Sequence, residues 1–324
     1  MSRYLLYIED AFMFKKQIIF NVKLFVSSIL LAILCVIFFI GCMSIDITPN
    51  TKFSKSTTSS DKAQIYYLNV GQGDAQLIIL PTGEHILIDA GLKSGSNNLV
   101  DYLQELGVEK LDIVIATHPH ADHIGGMEKV IQTFTIGEIY MPKVADSQIP
   151  TTVTYTKFLE AIQSKGLRIN QAKAGTVILN SGNAVFEILA PNSTSYKKLN
   201  DYSVVTKLTY GSQKFIFTGD AEKTSEDEML KKHYDLSCNI LKLAHHGSSS
   251  SSTDSFLKAA SPAIAIVSCG IDNDYGHPHK EIIKKMNVNN ITVYRTDTHG
   301  TILAETDGTN YHITTNLKNL TKAT

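Results

Sequence analysis

The feature that most constrains this chain is a cluster of metal-ligating side chains directly after an apolar run. An Ile-Val-Ile-Ala-Thr run at 113–117 is typical of a buried strand, and the next six residues read His-Pro-His-Ala-Asp-His. Imidazole nitrogens and carboxylate oxygens suit zinc, manganese or iron. Because this spacing is too crowded for one face of a helix, we expect a loop. Such a loop can point His118 and His120 to one side and Asp122 and His123 to the other, which predicts two adjacent divalent metal ions.

Two further aspartates stand where predicted strands end. Asp89 closes the run at 85–89 before Ala-Gly, which places it to hydrogen-bond a ligating histidine; a simple turn aspartate is the alternative. Asp220 follows the run at 215–217 and precedes a predicted helix, so metal binding competes with helix capping as its role. We predict metal binding for Asp220 and a supporting role for Asp89.

Two histidine motifs lie further along the chain. His245 comes soon after the predicted strand 239–243, and His277 belongs to a Gly-His-Pro-His motif. One of the two is expected to complete the second metal site, and spacing alone does not say which. We predict that His245 is the ligand and that His277 donates a proton or contacts a phosphate group. Asp122 is predicted to act in catalysis as well as in metal binding.

These motifs, in this order, resemble the metallo-β-lactamase fold superfamily. The resemblance rests on the ligand loop, on Leu-Ile-Asp-Ala-Gly at 87–91 and on Phe-Thr-Gly-Asp at 217–220. More narrowly, four stretches are similar to the metallo-β-lactamase domain of the ComEC competence proteins: Leu-Asn-Val-Gly-Gln-Gly-Asp-Ala at 68–75, Ser-Val-Val at 203–205, Leu-Lys-Leu-Ala-His-His-Gly-Ser at 241–248 and Tyr-Gly-His-Pro at 275–278. The resemblance covers roughly residues 65 to 305. It implies an α/β fold, the four-layer αβ/βα sandwich, with Asp220 bridging two metals.

The chain departs from the superfamily pattern at one ligand position. Many members have a histidine upstream of the bridging aspartate, whereas the corresponding stretch here reads Leu-Asn-Asp-Tyr-Ser-Val at 199–204. Asn200, Asp201 or Ser203 is expected to take its place, and spacing leaves the three open. An oxygen ligand is harder than imidazole and would shift the preference from zinc toward manganese.

Outside the motifs, the pattern predicts the scaffold of such a sandwich. Short β-rich runs separated by turn residues are expected through 64–89 and 177–218. Helical spacing is found at 98–106, 127–132, 154–165, 222–232 and 255–260. The polar loop 142–150 is expected near the mouth of the site.

The first 42 residues are interpreted as a targeting segment and not as part of the fold. Residues 24–40 are apolar except for two serines, and three lysines precede them, which is typical of a signal or anchor whose N-terminus stays inside. The segment ends Phe-Ile-Gly-Cys, which resembles the lipobox of bacterial lipoproteins. We predict a lipid on Cys42, and an uncleaved membrane anchor is the alternative.

The rest of the chain is predicted to lie outside the cytoplasm, at the cell membrane. Residues 43–62, rich in Ser, Thr and Lys, predict a flexible tether, and residues 63–324 are predicted to form one hydrolase domain. Cys238 and Cys269 fall in this domain. They are predicted to be small buried side chains and not a disulfide or a ligand pair.

Two metals held in this way favour hydrolysis, because they activate water and polarise a carbonyl or phosphoryl oxygen. The sequence has no glycine-rich nucleotide loop and no Gly-x-Ser-x-Gly elbow. From the ComEC resemblance we predict a surface-anchored nuclease or phosphodiesterase that acts on DNA, without the multi-spanning channel region of that family. The alternatives are a hydrolase of a lactone, β-lactam or small phosphodiester, and a surface protein that binds metal without catalysis.

The charge balance gives no independent sign of a polyanionic partner. The net charge is −1, from 30 Lys and Arg against 31 Asp and Glu, and only three of the basic residues are arginines. Arginine is the side chain best suited to clamp a phosphate with two hydrogen bonds. Any hold on nucleic acid is therefore expected to come from lysines, backbone amides and the metals.

Overall fold

The computed structural model describes residues 61–318 and residue 320. The predicted targeting segment 1–42 lies outside these residues, as does all but the end of the predicted tether 43–62. Within the described part, no helix is both long and apolar enough to cross a membrane. The predicted boundaries of the segments therefore stay predictions.

Eight strands from both ends of the described chain form the first sheet. They are β1 Ala63–Tyr67, β2 Gln76–Ile79, β3 His85–Ile88, β4 Lys110–Ile115, β5 Thr135–Met141, β6 Ile169–Gln171, β14 Thr301–Thr306 and β15 Tyr311–Leu317. Their order across the sheet is β15-β14-β1-β2-β3-β4-β5-β6. Neighbours from β15 to β3 are antiparallel, and neighbours from β3 to β6 are parallel.

Seven strands from the middle of the chain form the second sheet. They are β7 Val177–Ser181, β8 Ala184–Ala190, β9 Val205–Tyr210, β10 Gln213–Phe217, β11 Ile240–Lys242, β12 Ile264–Val267 and β13 Thr292–Arg295. Their order is β13-β12-β11-β10-β9-β8-β7. The pairs from β10 to β13 are parallel, and the pairs from β7 to β10 are antiparallel.

Helices cover the outer face of each sheet. The α-helices are α1 Ser96–Glu105, α2 Ala121–Ile124, α3 Met127–Thr133, α4 Val153–Ser164, α5 Lys223–Lys231, α6 Asp254–Ala260, α7 Lys280–Val288 and α8 Thr296–His299. One core joins α1, α3 and α4 to the first sheet, a second lies between the sheets, and a third joins α5, α6 and α7 to the second sheet. The predicted four-layer α/β sandwich is confirmed.

The alternation of side chains along a strand explains why the central strands are apolar throughout. In β3, Leu87 points to the helices, while Ile86 and Ile88 point to the other sheet. In β4, Val114 faces the helices and Ile115 faces the other sheet. Because successive side chains point to opposite faces, a strand buried on both faces needs an unbroken apolar run.

This topology positions the site. Strands β3 and β4 are parallel neighbours in one sheet, and β10, β11 and β12 are parallel neighbours in the other, so their carboxyl ends lie along one edge of each sheet. Asp89 follows β3, His118 follows β4, Asp220 follows β10 and His245 follows β11. The predicted site residues therefore leave the sheets at strand ends that can meet.

Three helices were not predicted. Residues 121–124 form α2 within the stretch that was expected to be a loop, so Asp122 and His123 lie on a short helix. The helix α7 was not predicted although Ile282, Ile283 and Met286 recur at helical spacing. Residues 296–299 form the short helix α8. The five predicted helices are confirmed, with end differences of one or two residues that are usual for helix boundaries.

Candidate metal centre

The loop after β4 brings the first predicted ligands together. Nε2 of His118 lies 2.9 Å from Nδ1 of His120 and 3.7 Å from Oδ2 of Asp220. One ligand atom from each of the three residues lies within 4.8 Å of the other two. The short helix α2 begins after His120 and carries Asp122 and His123, which belong to a second group.

The second group lies on the other side of the Asp220 carboxylate. Asp122, His123 and His246 each offer one ligand atom within 4.8 Å of the others. Oδ1 of Asp220 is 3.2 Å from Nε2 of His123 and 3.7 Å from Nε2 of His246. The loop therefore splits as predicted, and each oxygen of Asp220 faces one of the two groups.

Two buried atoms at this centre make no hydrogen bond of good geometry. Nε2 of His123 and Oδ1 of Asp220 are buried and lack a hydrogen bond, although they face each other at 3.2 Å. Leaving such atoms unpaired costs about 1–3 kcal/mol each, so native proteins rarely do so without a ligand. Nitrogen and carboxylate donors converging in this way fit divalent metal ions.

The charges of the site favour a bound cation. Burial alone would raise the pKa of Asp220, but His123, His246 and His118 hold that pKa well below its ordinary range. Burial alone would lower the pKa of His123, whereas Asp220 and Asp89 raise it well above its ordinary range. The carboxylates thus stabilise positive charge at the centre, which is the condition for holding a metal ion in place of protons.

Hydrogen bonds fix two of the imidazole rings. Nδ1 of His123 lies 2.7 Å from Oδ2 of Asp89, which also accepts from the Thr117 hydroxyl at 2.6 Å. The hydrogen bond between Asp89 and His123 is the contact that the predicted supporting role of Asp89 requires. Nδ1 of His246 lies 2.9 Å from the carbonyl oxygen of Ser268. With a proton on Nδ1, each ring turns the lone pair of Nε2 toward the centre.

Two adjacent histidines, His245 and His246, follow β11, and the second of them belongs to a ligand group. His245 and His246 both have left-handed backbone torsions, with φ of 50° and 54°. The Nδ1 atom of His245 lies 3.1 Å from the Ser250 hydroxyl, and its Nε2 lies 3.8 Å from Asp220. Among the described residues His245 belongs to no group with ligand spacing, whereas His246 does. His246 was not predicted from the sequence, although the doubled histidine at this strand end was a visible signal.

His277 lies beside the centre and not within either ligand group of the described chain. Its ring centroid is 5.4 Å from that of His245 and 6.0 Å from that of His246. Burial, followed by His246 and His245, lowers the pKa of His277 to about 4. A ring with this pKa is neutral at pH 7, and it can donate one hydrogen bond and accept another. Contact with a phosphate group or donation of a proton stays a prediction for His277.

The three residues considered for the missing histidine differ in their contacts. The hydroxyl of Ser203 already has two neighbours. It accepts from the Asp220 backbone N–H at 3.0 Å and lies 3.4 Å from Nδ1 of His118. Asp201 accepts from the backbone N–H of Ser225 at 3.4 Å. Asn200 lines the cavity over the centre, and its buried amide oxygen has no hydrogen-bond partner. Asn200 is thus the one of the three with an unused oxygen.

A buried ion pair lies next to the ligand loop. Nζ of Lys242 donates to Oδ2 of Asp74 at 2.7 Å, and both side chains are at most 1% exposed. The backbone N–H of Asp74 donates to the carbonyl of Asp122 at 3.1 Å. A Cβ on Gly73 would lie 2.3 Å from that same carbonyl oxygen, at a φ of +146°, so only glycine fits this approach. The Gly-Gln-Gly-Asp motif is therefore packed against the ligand loop.

An open cavity of about 380 Å³ lies over both ligand groups. Polar and aromatic side chains dominate its wall: Gln72, His120, Ala121, Asp122, Asn200, Asp220, His245, His246, Tyr275 and His277. The predicted loop 142–150 contributes none of these residues. Its place near the mouth is not supported by the cavity lining.

Fold and site together define a hydrolase of the metallo-β-lactamase type. The family model described as the metallo-beta-lactamase superfamily matches residues 68–271. The chain belongs to this superfamily, whose fold usually binds divalent metals, and its His and Asp groups are arranged accordingly.

Competence proteins are among its curated relatives. ComE operon protein 3 of Bacillus subtilis (strain 168) is 30% identical over 260 residues, which are 75% of this chain and 33% of that protein. Competence protein ComA of Neisseria gonorrhoeae is 26% identical over 244 residues, or 75% of this chain and 32% of that protein. The chain thus spans about a third of the length of these relatives. Among solved structures, Igni18, a metallo hydrolase from the archaeon Ignicoccus hospitalis KIN4/I, is 15% identical with a TM-score of 0.49, covering 74% of this chain and 98% of that chain.

Proposed function

We propose that this chain is a metal-dependent phosphodiesterase that cleaves DNA. The observation that carries the proposal is the make-up of the cavity lining, in which amides, carboxylates and imidazoles dominate and Ala121 is the one aliphatic side chain. A lactone or β-lactam hydrolase would need apolar surface beside the metals to hold its ring. A charged phosphodiester instead needs hydrogen-bond donors and cations, and this wall offers amides and imidazoles. Competence proteins among the relatives support the ComEC resemblance, on which the expectation of a DNA substrate is based.

Two divalent ions are part of the proposal. His118, His120 and Asp220 would hold one, and Asp122, His123 and His246 would hold the other, with Asp220 shared. When bound, such ions lower the pKa of a water molecule and neutralise charge on a phosphoryl group. Asn200 lines the same cavity as His120 and Asp220 of the first group, and an oxygen donor from its amide would favour manganese over zinc.

The remaining residues bind and orient. Asp89 holds one proton of His123 on Nδ1, so Nε2 is the nitrogen that would bind a metal ion once the ring has lost its second proton. His277 and His245 both line the cavity. An imidazole N–H there could donate a hydrogen bond to a phosphate oxygen. Asp122 serves the proposed catalysis through the second group, because its carboxylate also meets Nε2 of His246 at 3.2 Å.

The charge balance sets the expected affinity. With a net charge of −1 and few arginines, the chain makes few contacts that would release counterions from DNA. We therefore expect modest affinity, a shallow dependence on salt and no sequence preference.

The proposal includes attachment to the outer face of the cell membrane. Its support is the apolar segment 24–40, the preceding lysines and the Cys42 ending. A tethered domain would meet DNA outside the cell.

The test uses the purified full-length chain, stripped with a chelator and reloaded with manganese or zinc. Substrates are single- and double-stranded DNA, RNA, a chromogenic β-lactam and a lactone. We expect manganese-stimulated cleavage of DNA that is lost in Asp220→Ala together with metal content, which falls below two ions per chain. Asp227→Ala is the matched control, because Asp227 is half-exposed on α5, pairs with Lys223 and belongs to neither ligand group. If the loaded chain leaves DNA and RNA intact but opens a lactone or β-lactam, the alternative hydrolase replaces this proposal.

A further inference from the structure

Tyr275 is unusual among the aromatic residues of this fold. Its side chain is 66% exposed, and across the described residues every other Phe and Tyr is buried or half-buried. A single exposed hydrophobic residue is ordinary by itself, so the position of this ring, and not its exposure alone, carries the argument. That position is the rim of the cavity over the metal centre.

The ring of Tyr275 is already stacked on one side. It lies nearly parallel to His277, with an interplanar angle of 19° and centroids 5.6 Å apart. His277 in turn lies 6.0 Å from His246, which belongs to the second ligand group. A continuous path of rings thus leads from the ligand group to the rim, and the exposed surface of Tyr275 ends it.

The loop that carries Tyr275 is held in shape. The side chain of Asn273 donates to the carbonyl oxygens of Gly270 at 2.9 Å and His277 at 2.7 Å. Its own amide oxygen accepts from the backbone N–H of His277 at 2.9 Å. Because these bonds close the loop on itself, the ring is pre-organised, and binding against it costs little further ordering.

The charges around the ring say what it can bind. Asp272 and Asp274 are both exposed on the same loop. Their carboxylates repel phosphate groups, which leaves the metal centre as the place for a phosphodiester. The ring itself is suited to a flat, uncharged group, and a nucleobase is the flat group attached next to a phosphodiester.

We propose that Tyr275 is a stacking platform for an unpaired nucleobase beside the scissile phosphodiester. This inference rests on the proposed function and narrows its substrate to strands with free bases. In a duplex both faces of each base are covered by its neighbours, whereas a single strand or a frayed end offers a face to the ring. Tyr275 is a specificity-determining residue in this scheme, and the metal groups act on the phosphate.

The test compares two polymers of equal length and charge, a thymidine strand and a strand of abasic residues. For the full-length chain loaded with manganese we expect a lower KM on the thymidine strand. Tyr275→Ala should raise that KM roughly 5- to 100-fold, the range found when one base-stacking aromatic is removed. KM on the abasic strand should stay within about twofold, since no base is there to lose its stacking partner. Tyr275→Phe should restore the thymidine KM, because the π face and not the hydroxyl carries the contact.

Val288→Ala is the matched control, since Val288 is 72% exposed but does not line the cavity. Metal content and thermal stability of each variant show whether the fold and the centre persist. An equal loss on both polymers in Tyr275→Ala would show a packing role for His277 and overturn the platform. Equal KM values for the two polymers in the unaltered chain would overturn it as well. If neither polymer is cleaved by the metal-loaded chain, the phosphodiesterase proposal fails, and the platform fails with it.

Discussion

Replacing Asp89 by Asn isolates the control that one carboxylate exerts on the metal centre. Asp89 is fully buried and accepts from the backbone N–H of Thr117 at 2.8 Å as well as from Nδ1 of His123 at 2.7 Å. Its φ is 57°, a conformation that asparagine tolerates as well as aspartate does. The substitution therefore keeps volume and backbone and changes only the charge and one acceptor.

The expected effect follows from the tautomer of His123. An amide NH₂ in place of Oδ2 would face the N–H on Nδ1, and two donors repel. The ring is then driven to carry its proton on Nε2, the atom that faces Asp220 across 3.2 Å. That proton must leave before the second group can hold a cation. Loss of such a supporting partner typically weakens metal binding 10- to 100-fold, or about 1.4 to 2.8 kcal/mol.

Competition against a chelator of known affinity measures this loss, with metal counted by mass spectrometry. We expect the affinity for the ion at the second group to fall by that factor. The affinity for the ion at the first group should stay within about threefold of its original value. Asp112→Asn is the control, because Asp112 accepts from the backbone N–H of His85 at 2.9 Å, outside the ligand groups. Two ions bound to Asp89→Asn with unchanged affinity would refute the reasoning.

Three further outcomes are expected. Lys242→Ala leaves the Asp74 carboxylate buried without its lysine and should lower the free energy of unfolding by about 3–5 kcal/mol, measured by urea titration. Adding Asp74→Ala should recover part of that loss. No recovery would contradict the pairing. Burial raises the pKa of Glu226 above its ordinary 4.5, so the folded state binds more protons than the unfolded state. Stability should therefore decline as pH rises from 4.5 through the raised pKa. Glu226→Gln should flatten this decline in denaturant unfolding at several pH values, and an unchanged slope would count against the argument. Cys42→Ser should abolish labelling by a fatty-acid probe and leave an uncleaved precursor, whereas unchanged processing would favour the plain anchor.

Much of the fold was predictable because its signals are local. A strand buried on both faces needs an unbroken apolar run, and 113–117 supplies one. Helices with a wide apolar stripe, such as Val153–Ser164, show their period in the sequence. The helix Lys280–Val288 was not predicted, although Ile282, Ile283 and Met286 give it the same kind of local signal.

The sequence alone determined the ligand loop and its division into two groups. The spacing of His118, His120, Asp122 and His123 after a strand leaves few ways to point the side chains, and the structure adopts the predicted one. Asp89 and Asp220 were identified for the same reason, since each directly follows the end of a strand. Local order along the chain is enough where covalent geometry limits where a side chain can go.

Only the tertiary structure decided between the remaining histidines and revealed the supporting contacts. His245 and His246 are adjacent, and their rings differ in direction because of two left-handed backbone torsions that the surrounding packing maintains. The pairing of Lys242 with Asp74 joins residues 168 positions apart. The exposure of Tyr275 depends on which surfaces the rest of the chain leaves uncovered. Such features arise from contacts between distant segments, and no spacing along the chain encodes them.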